Sequence, residues 1–142
     1  MNRRRSLFLL LAAVPLLLSL SACAPGDDGE AWNVIWITED VTSPTTWRSG
    51  NVYVIYTYDF YVEDTLVIEP GTIVKFHPAD GPMLTLGGTG TIVADGTAGS
   101  PIVFTSFKDD AHGGDTNEDG SATSPARQDW FQINTNGLNG SL

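Results

Sequence analysis

Thr65-Leu66-Val67-Ile68-Glu69-Pro70-Gly71-Thr72-Ile73-Val74-Lys75-Phe76 holds two short alternating runs joined by a Pro-Gly pair. Alternation sends successive side chains to opposite faces, so each run reads as a strand with one apolar face. Pro presets φ near −65° and Gly accepts a positive φ, which a tight backbone reversal requires. The same grammar recurs on both sides. Leu66-x-Ile68 is followed 18 residues later by Leu84-x-Leu86, and 18 later again by Ile102-x-Phe104. A second series runs between them as Val74-x-Phe76 and Ile92-x-Ala94, with Tyr56 and Tyr58 a weaker match 18 residues earlier. Pro70-Gly71 and Gly88-Thr89 occupy equivalent links.

Paired apolar residues at a constant period, joined by tight turns, describe a chain that winds and stacks on itself. The expectation is an all-β fold of parallel sheets with windings of about 18 residues, the paired residues facing a shared interior. Val67, Thr85, Val103, Lys75 and Val93, which stand between the pairs, are expected to face outward. A β-sandwich is the alternative, but it has no reason to keep two interleaved series in step. A left-handed helix of hexapeptides fits less well, because the spacings alternate between 8 and 10.

Residues 65–76 resemble the opening winding of right-handed parallel β-helix repeat proteins, the pectin-lyase-like fold, and so does Gly96-Thr97-Ala98-Gly99-Ser100-Pro101-Ile102-Val103-Phe104-Thr105-Ser106. Gly113-Gly114-Asp115-Thr116-Asn117 and Asp119-Gly120 resemble a loop segment found there. The similarity spans residues 52–133. It departs at Arg127-Gln128-Asp129-Trp130-Phe131-Gln132-Ile133, where similar proteins often carry glycines around Asp-Trp. The resemblance implies a right-handed parallel β-helix. Many enzymes of that fold are polysaccharide lyases or hydrolases, often holding calcium beside a catalytic Arg or Lys.

The second series would continue at Asp110 and His112, which do not belong in an apolar interior. The next alternating pair is Phe131-x-Ile133, so the acidic stretch between is an insertion within one winding. A connection of that length without secondary structure is usually functional or disordered. Asp115-x-Asn117-x-Asp119-Gly120 matches the first half of a calcium loop: side chains at alternate positions converge, and glycine permits the turn that follows. The backbone carbonyl of Ser121 is the next expected ligand, and carboxylates, an amide and a carbonyl suit Ca²⁺. Ala126 stands where a bidentate Glu would close such a loop, so Asp129, Asp109 and Asp110 are the candidates to complete the site. Turns rich in Asp, Asn and Gly also form without any ion. His112 has no thiol and no histidine nearby but His77, which argues against zinc.

The ends and the charge narrow the function classes. Arg3, Arg4 and Arg5 precede an apolar run over residues 7–18, shorter than the roughly 20 residues that span a bilayer. Leu20-Ser21-Ala22-Cys23 resembles a bacterial lipobox, which implies removal of residues 1–22, acylation of Cys23 and a membrane anchor through the N-terminal lipid. Cys23 is the chain's single cysteine, so no internal disulfide forms. Ala24 follows it, which by resemblance favours the outer membrane of a Gram-negative cell. Residues 23–31 read as a tether and residues 32–142 as one β-helix domain. No amphipathic capping helix follows residue 133, so the expectation is the N-terminal part of a longer protein.

The full chain of 142 residues has a formal net charge of −10. Without residues 1–22, Arg48, Lys75, Lys108 and Arg127 oppose 17 acids, for −13. That argues against nucleic acid or anionic lipid as a partner and favours cations or neutral glycans. Trp32, Trp36 and Trp47 are candidate glycan-stacking rings, or else they cover the first end of the stack. No nucleophile or phosphate-binding motif is present, and no residue is assigned a catalytic role. The expected function is a calcium-stabilised, non-catalytic scaffold or binding module on the cell envelope. The alternative is a calcium-dependent polysaccharide lyase or hydrolase whose active site lies in windings beyond this sequence. Nothing in the residues sets an oligomeric state.

Overall fold

The computed structural model describes residues 32–78 and 81–135. The expected signal peptide, Cys23 and the expected tether lie outside the described residues. Among the described residues ten short strands carry the fold: β1 Asn33–Ile37, β2 Thr45–Trp47, β3 Asn51–Ile55, β4 Asp59–Val62, β5 Thr65–Ile68, β6 Ile73–Phe76, β7 Met83–Leu86, β8 Thr91–Val93, β9 Val103–Ser106 and β10 Ile133–Asn134. No helix occurs among the described residues, and the class is all-β. The quoted stretch supplies β5 and β6. Its turn behaves as expected, with Gly71 at φ 84° and the Thr72 amide donating to the Glu69 carbonyl at 3.2 Å.

The strands form three sheets, ordered β1-β3-β6-β9, β4-β7-β10 and β2-β5-β8. Every pair of strands within them is parallel. From β3 onward the chain visits the three sheets in fixed rotation. Before β3, Val41 takes the middle place through a single bridge to Val62.

This rotation corrects the 18-residue winding. Leu66 pairs with Thr45 and Ile92, not with Leu84, whose partners are Phe60 and Ile133. Val74 lies between Tyr53 and Phe104. In the first sheet Asn33 pairs with Asn51, Val52 with Ile73, and Ile73 with Val103, so the step grows along the chain. From β5 onward, a step of 18 leads from one strand to the second strand after it, on another sheet. All three sheets send apolar pairs inward, so the pairs look equivalent in sequence and the number of strands per circuit is hidden.

The interior is filled as the alternation requires. Leu66, Ile68, Val74, Phe76, Leu84, Leu86, Ile92 and Ala94 all belong to one buried cluster, with Ile102, Phe104 and Ile133 packed against it. Full burial of such a side chain is worth about 1.5–3 kcal/mol. Trp47 is buried between Tyr53 and Phe60, its ring stacked at 4.8 and 5.8 Å from theirs. Trp130 stacks on Phe76 at 4.5 Å where the acidic segment returns. Tyr56 and Tyr58, the weaker match, are instead exposed, and so is Phe131, while Tyr53 and Ile55 hold the inward positions.

The first sheet is also covered on its other face. Val52, Val54, Ile73 and Phe107 form a second buried cluster, with Trp32, Val34 and Val103 against it. Burial on both faces explains why β6 is buried at all four positions. Of the residues expected outside, Val67, Val93 and Val103 are half-buried, whereas Thr85 and Lys75 are buried. For Lys75 the reason is the acidic segment, which folds back over this face.

Candidate metal centre

The segment between β9 and β10 leaves the first sheet in register, with the Phe107 amide donating to the Phe76 carbonyl at 2.9 Å. It then lies down on the outer face of that sheet. Gly113 makes this approach possible: at φ 75°, a Cβ there would stand 2.5 Å from Val52 Cγ2. No larger residue fits that conformation and that gap together.

Three polar anchors fix the segment. Lys75 Nζ donates to the carbonyl of Asp109 at 2.8 Å, to that of Gly114 at 2.8 Å, and to Thr116 Oγ1. Three acceptors match the three donors of an ammonium, which a buried lysine needs. Burial lowers the Lys75 pKa, against the opposing pull of Asp109, Asp110 and Asp115. The buried Asp109 carboxylate accepts from Thr105 Oγ1 at 2.6 Å, His112 Nδ1 at 2.8 Å and the Ala111 amide at 3.1 Å. The buried Asp129 carboxylate joins both ends of the segment, accepting from Ser106 Oγ and Lys108 Nζ at 2.7 Å and from the Ala126 amide at 2.8 Å. Burial alone would raise both acids. For Asp109 the bonds from Thr105, His112 and Ala111 outweigh it, and for Asp129 those from Lys108, Ser106 and Ala126 do, so both titrate below the ordinary range.

Beyond these anchors, Asp110, Asp115 and Asp119 bring carboxylate oxygens within 4.8 Å of one another. Asp115 accepts from the amides of Asp119 at 3.1 Å and Gly120 at 2.8 Å. Asp119 accepts from the Ala122 amide at 2.9 Å, from Asn117 Nδ2 at 2.8 Å and from Thr123 Oγ1. The bond from Thr123, followed by those from Ala122 and Asn117, lowers the Asp119 pKa. Glu118 at φ 55° and Ser121 at φ 75° sit in the left-handed region, at about 1–2 kcal/mol each. Two polar oxygens in this segment, Asp110 Oδ1 and Asn117 Oδ1, are buried without a hydrogen-bond partner.

Of the expected ligands, the structure therefore gathers Asp110, Asp115 and Asp119, with Asn117 bonded to Asp119. Ser121 is exposed on the turn after Gly120. Asp109 and Asp129 do not join the cluster, because their oxygens are taken up in closing the segment on the sheet. Three carboxylates form a hard donor set that suits Ca²⁺. The same hydrogen bonds also hold the turns by themselves.

The three tryptophans separate. Trp47 is core and cannot stack on a ligand, and Trp32 is half-buried against Val52 and its neighbours. Trp36 alone is exposed, at 47%. Its ring lies 5.5 Å from that of Tyr56, itself 50% exposed, and 6.3 Å from that of His77. Phe107 lies beside Trp36 and His77 at 5.6 and 4.8 Å and ties this ring face to the second buried cluster.

Sequence reasoning missed Lys75 as an anchor. The available signal was a lone lysine inside an apolar strand of a chain that also carries a long acidic insertion. Comparison with protein-family models, curated proteins and solved structures returned no match.

Proposed function

We propose that the chain is an exported lipoprotein, acylated at Cys23, whose domain is a right-handed parallel β-helix of the pectin-lyase-like kind. It serves as a binding module on the cell envelope, and its acidic loop takes Ca²⁺. Support for the fold comes from three parallel sheets visited in rotation. One observation carries the calcium reading: Asp110, Asp115 and Asp119 bring carboxylate oxygens within 4.8 Å of one another, in a segment where Asp110 Oδ1 and Asn117 Oδ1 are buried with no hydrogen bond. Such oxygens cost free energy unless a partner fills them. Binding fits better than catalysis because the buried carboxylates, Asp109 and Asp129, each already accept three hydrogen bonds.

Thermal melting tests the metal. Calcium raises the midpoint over that in chelator, and Asp119→Ala removes the difference; equal midpoints in the wild type would exclude the reading. For the ligand, Trp36 and Tyr56 offer ring faces on which a neutral glycan stacks. A net charge of −10 disfavours acidic ones. Trp36→Ala is expected to abolish retardation in gels containing neutral polysaccharide, and unchanged migration of the wild type in such gels would count against a glycan face.

A further inference from the structure

Lys75 does more than fill a buried place. The two carbonyls it holds belong to Asp109 and Gly114, and each stands one residue before a carboxylate of the cluster, Asp110 and Asp115. Its third acceptor, Thr116 Oγ1, follows Asp115 directly and also donates to the Gly114 carbonyl at 3.3 Å. Lys75 itself sits in the middle sheet position between Val54 and Thr105, with no exposed surface. The ammonium thus ties a rigid strand to both approaches of the acidic cluster.

We propose that Lys75 is the positioning residue of the acidic loop: its ammonium, rather than a metal, holds residues 109–116 on the sheet and so aims Asp110 and Asp115 at Asp119. The charge is the reason a lysine is needed. A neutral donor forms fewer and weaker bonds, and three converging carboxylates repel one another unless a positive charge stands close by. Fixing two of three carboxylates beforehand also removes ordering cost from ion binding. The loop then has an inner part that keeps its fold without calcium and an outer part, residues 117–123, that calcium tightens. The second half of that statement rests on the calcium reading; the first does not.

Amide hydrogen exchange on the full chain separates the two. The Ala111 amide, bonded to Asp109, reports the inner part, and the Gly120 amide, bonded to Asp115, reports the outer part. In chelator, Ala111 is expected to stay protected while Gly120 exchanges faster than with calcium. Lys75→Met is expected to speed Ala111 exchange by about tenfold or more, the scale of one hydrogen bond to a charged group. Thr116→Val keeps the lysine and should weaken calcium binding several-fold, with Thr116→Ser restoring it, which a merely space-filling threonine would not show. Should Lys75→Met fail to fold, Ala111 exchange in chelator still decides through the Thr116 pair: faster in Thr116→Val and restored in Thr116→Ser upholds the brace, and unchanged in both overturns it. Unchanged Ala111 exchange in Lys75→Met, or Thr116→Val binding calcium like the wild type, overturns the proposal. A wild type that binds no calcium, with Ala111 still released by Lys75→Met, upholds the brace and rejects the calcium reading alone.

Discussion

The inner and outer parts of the acidic loop are made of the same residue types and are held in opposite ways. Inner acids look toward the fold: Asp109 and Asp129 are buried, accept from strand residues Thr105 and Ser106, and sit beside the lysines of β6 and the loop base. The carboxylates at the border of the outer part look toward one another: Asp115, at the end of the inner part, and Asp119 accept from amides and side chains within residues 117–123. Charge alone therefore does not define a metal site. A buried carboxylate with three donors is already satisfied, whereas Asp110 Oδ1 and Asn117 Oδ1 are buried with no hydrogen-bond partner.

The sharpest way to break this contrast is Asp129→Ala, which leaves Ser106 and Lys108 without their shared acceptor. We expect a loss of about 3 kcal/mol in chemical denaturation, with calcium present or absent. A loss seen only with calcium would move Asp129 into the metal site. Gly113→Ala should cost about 2 kcal/mol, from the left-handed backbone and the contact with Val52 together. Its effect belongs to the inner part and should likewise be indifferent to calcium.

Acid sharpens the comparison further. Asp109 and Asp129 have folded pKa values below their unfolded ones, near 4. Their stabilisation is complete above that unfolded value and is lost as the pH falls through the folded ones. In chelator, the midpoint should hold from pH 7 to about 5 and drop below about pH 4. The smallest change is expected from Ser121→Gly in the exposed turn. Relief of the left-handed strain, set against the flexibility of glycine, should stabilise by about 1 kcal/mol or less.

Much of this fold could be read from the residues. The inward pairs from Leu66 to Ala94 are all buried, because alternation and burial are the same physical fact in a strand. The circuit was not legible, since Leu66, Leu84 and Ile102 look alike although they lie on different sheets or at a sheet's margin. At the site, Asp115 and Asp119 of the Asp115-x-Asn117-x-Asp119-Gly120 stretch stand together, and Asp110 is the third carboxylate beside them. The inner part escaped because the partners of Lys75 lie 34 to 41 residues away in sequence and two of them are backbone carbonyls, which no motif records. Burial of Lys75 depends on a loop that closes over it, so the strand's own pattern placed it outside. Trp47 and Trp36 show the same limit from another side: ring chemistry is visible in sequence, but its exposure is set by register.

A calcium titration of the full chain, followed by calorimetry beside Asp110→Asn, tests the central claim most directly. The account predicts one ion per wild-type chain and at least tenfold weaker binding in the variant. The absence of binding heat in the wild type, or equal affinity in both proteins, would contradict it.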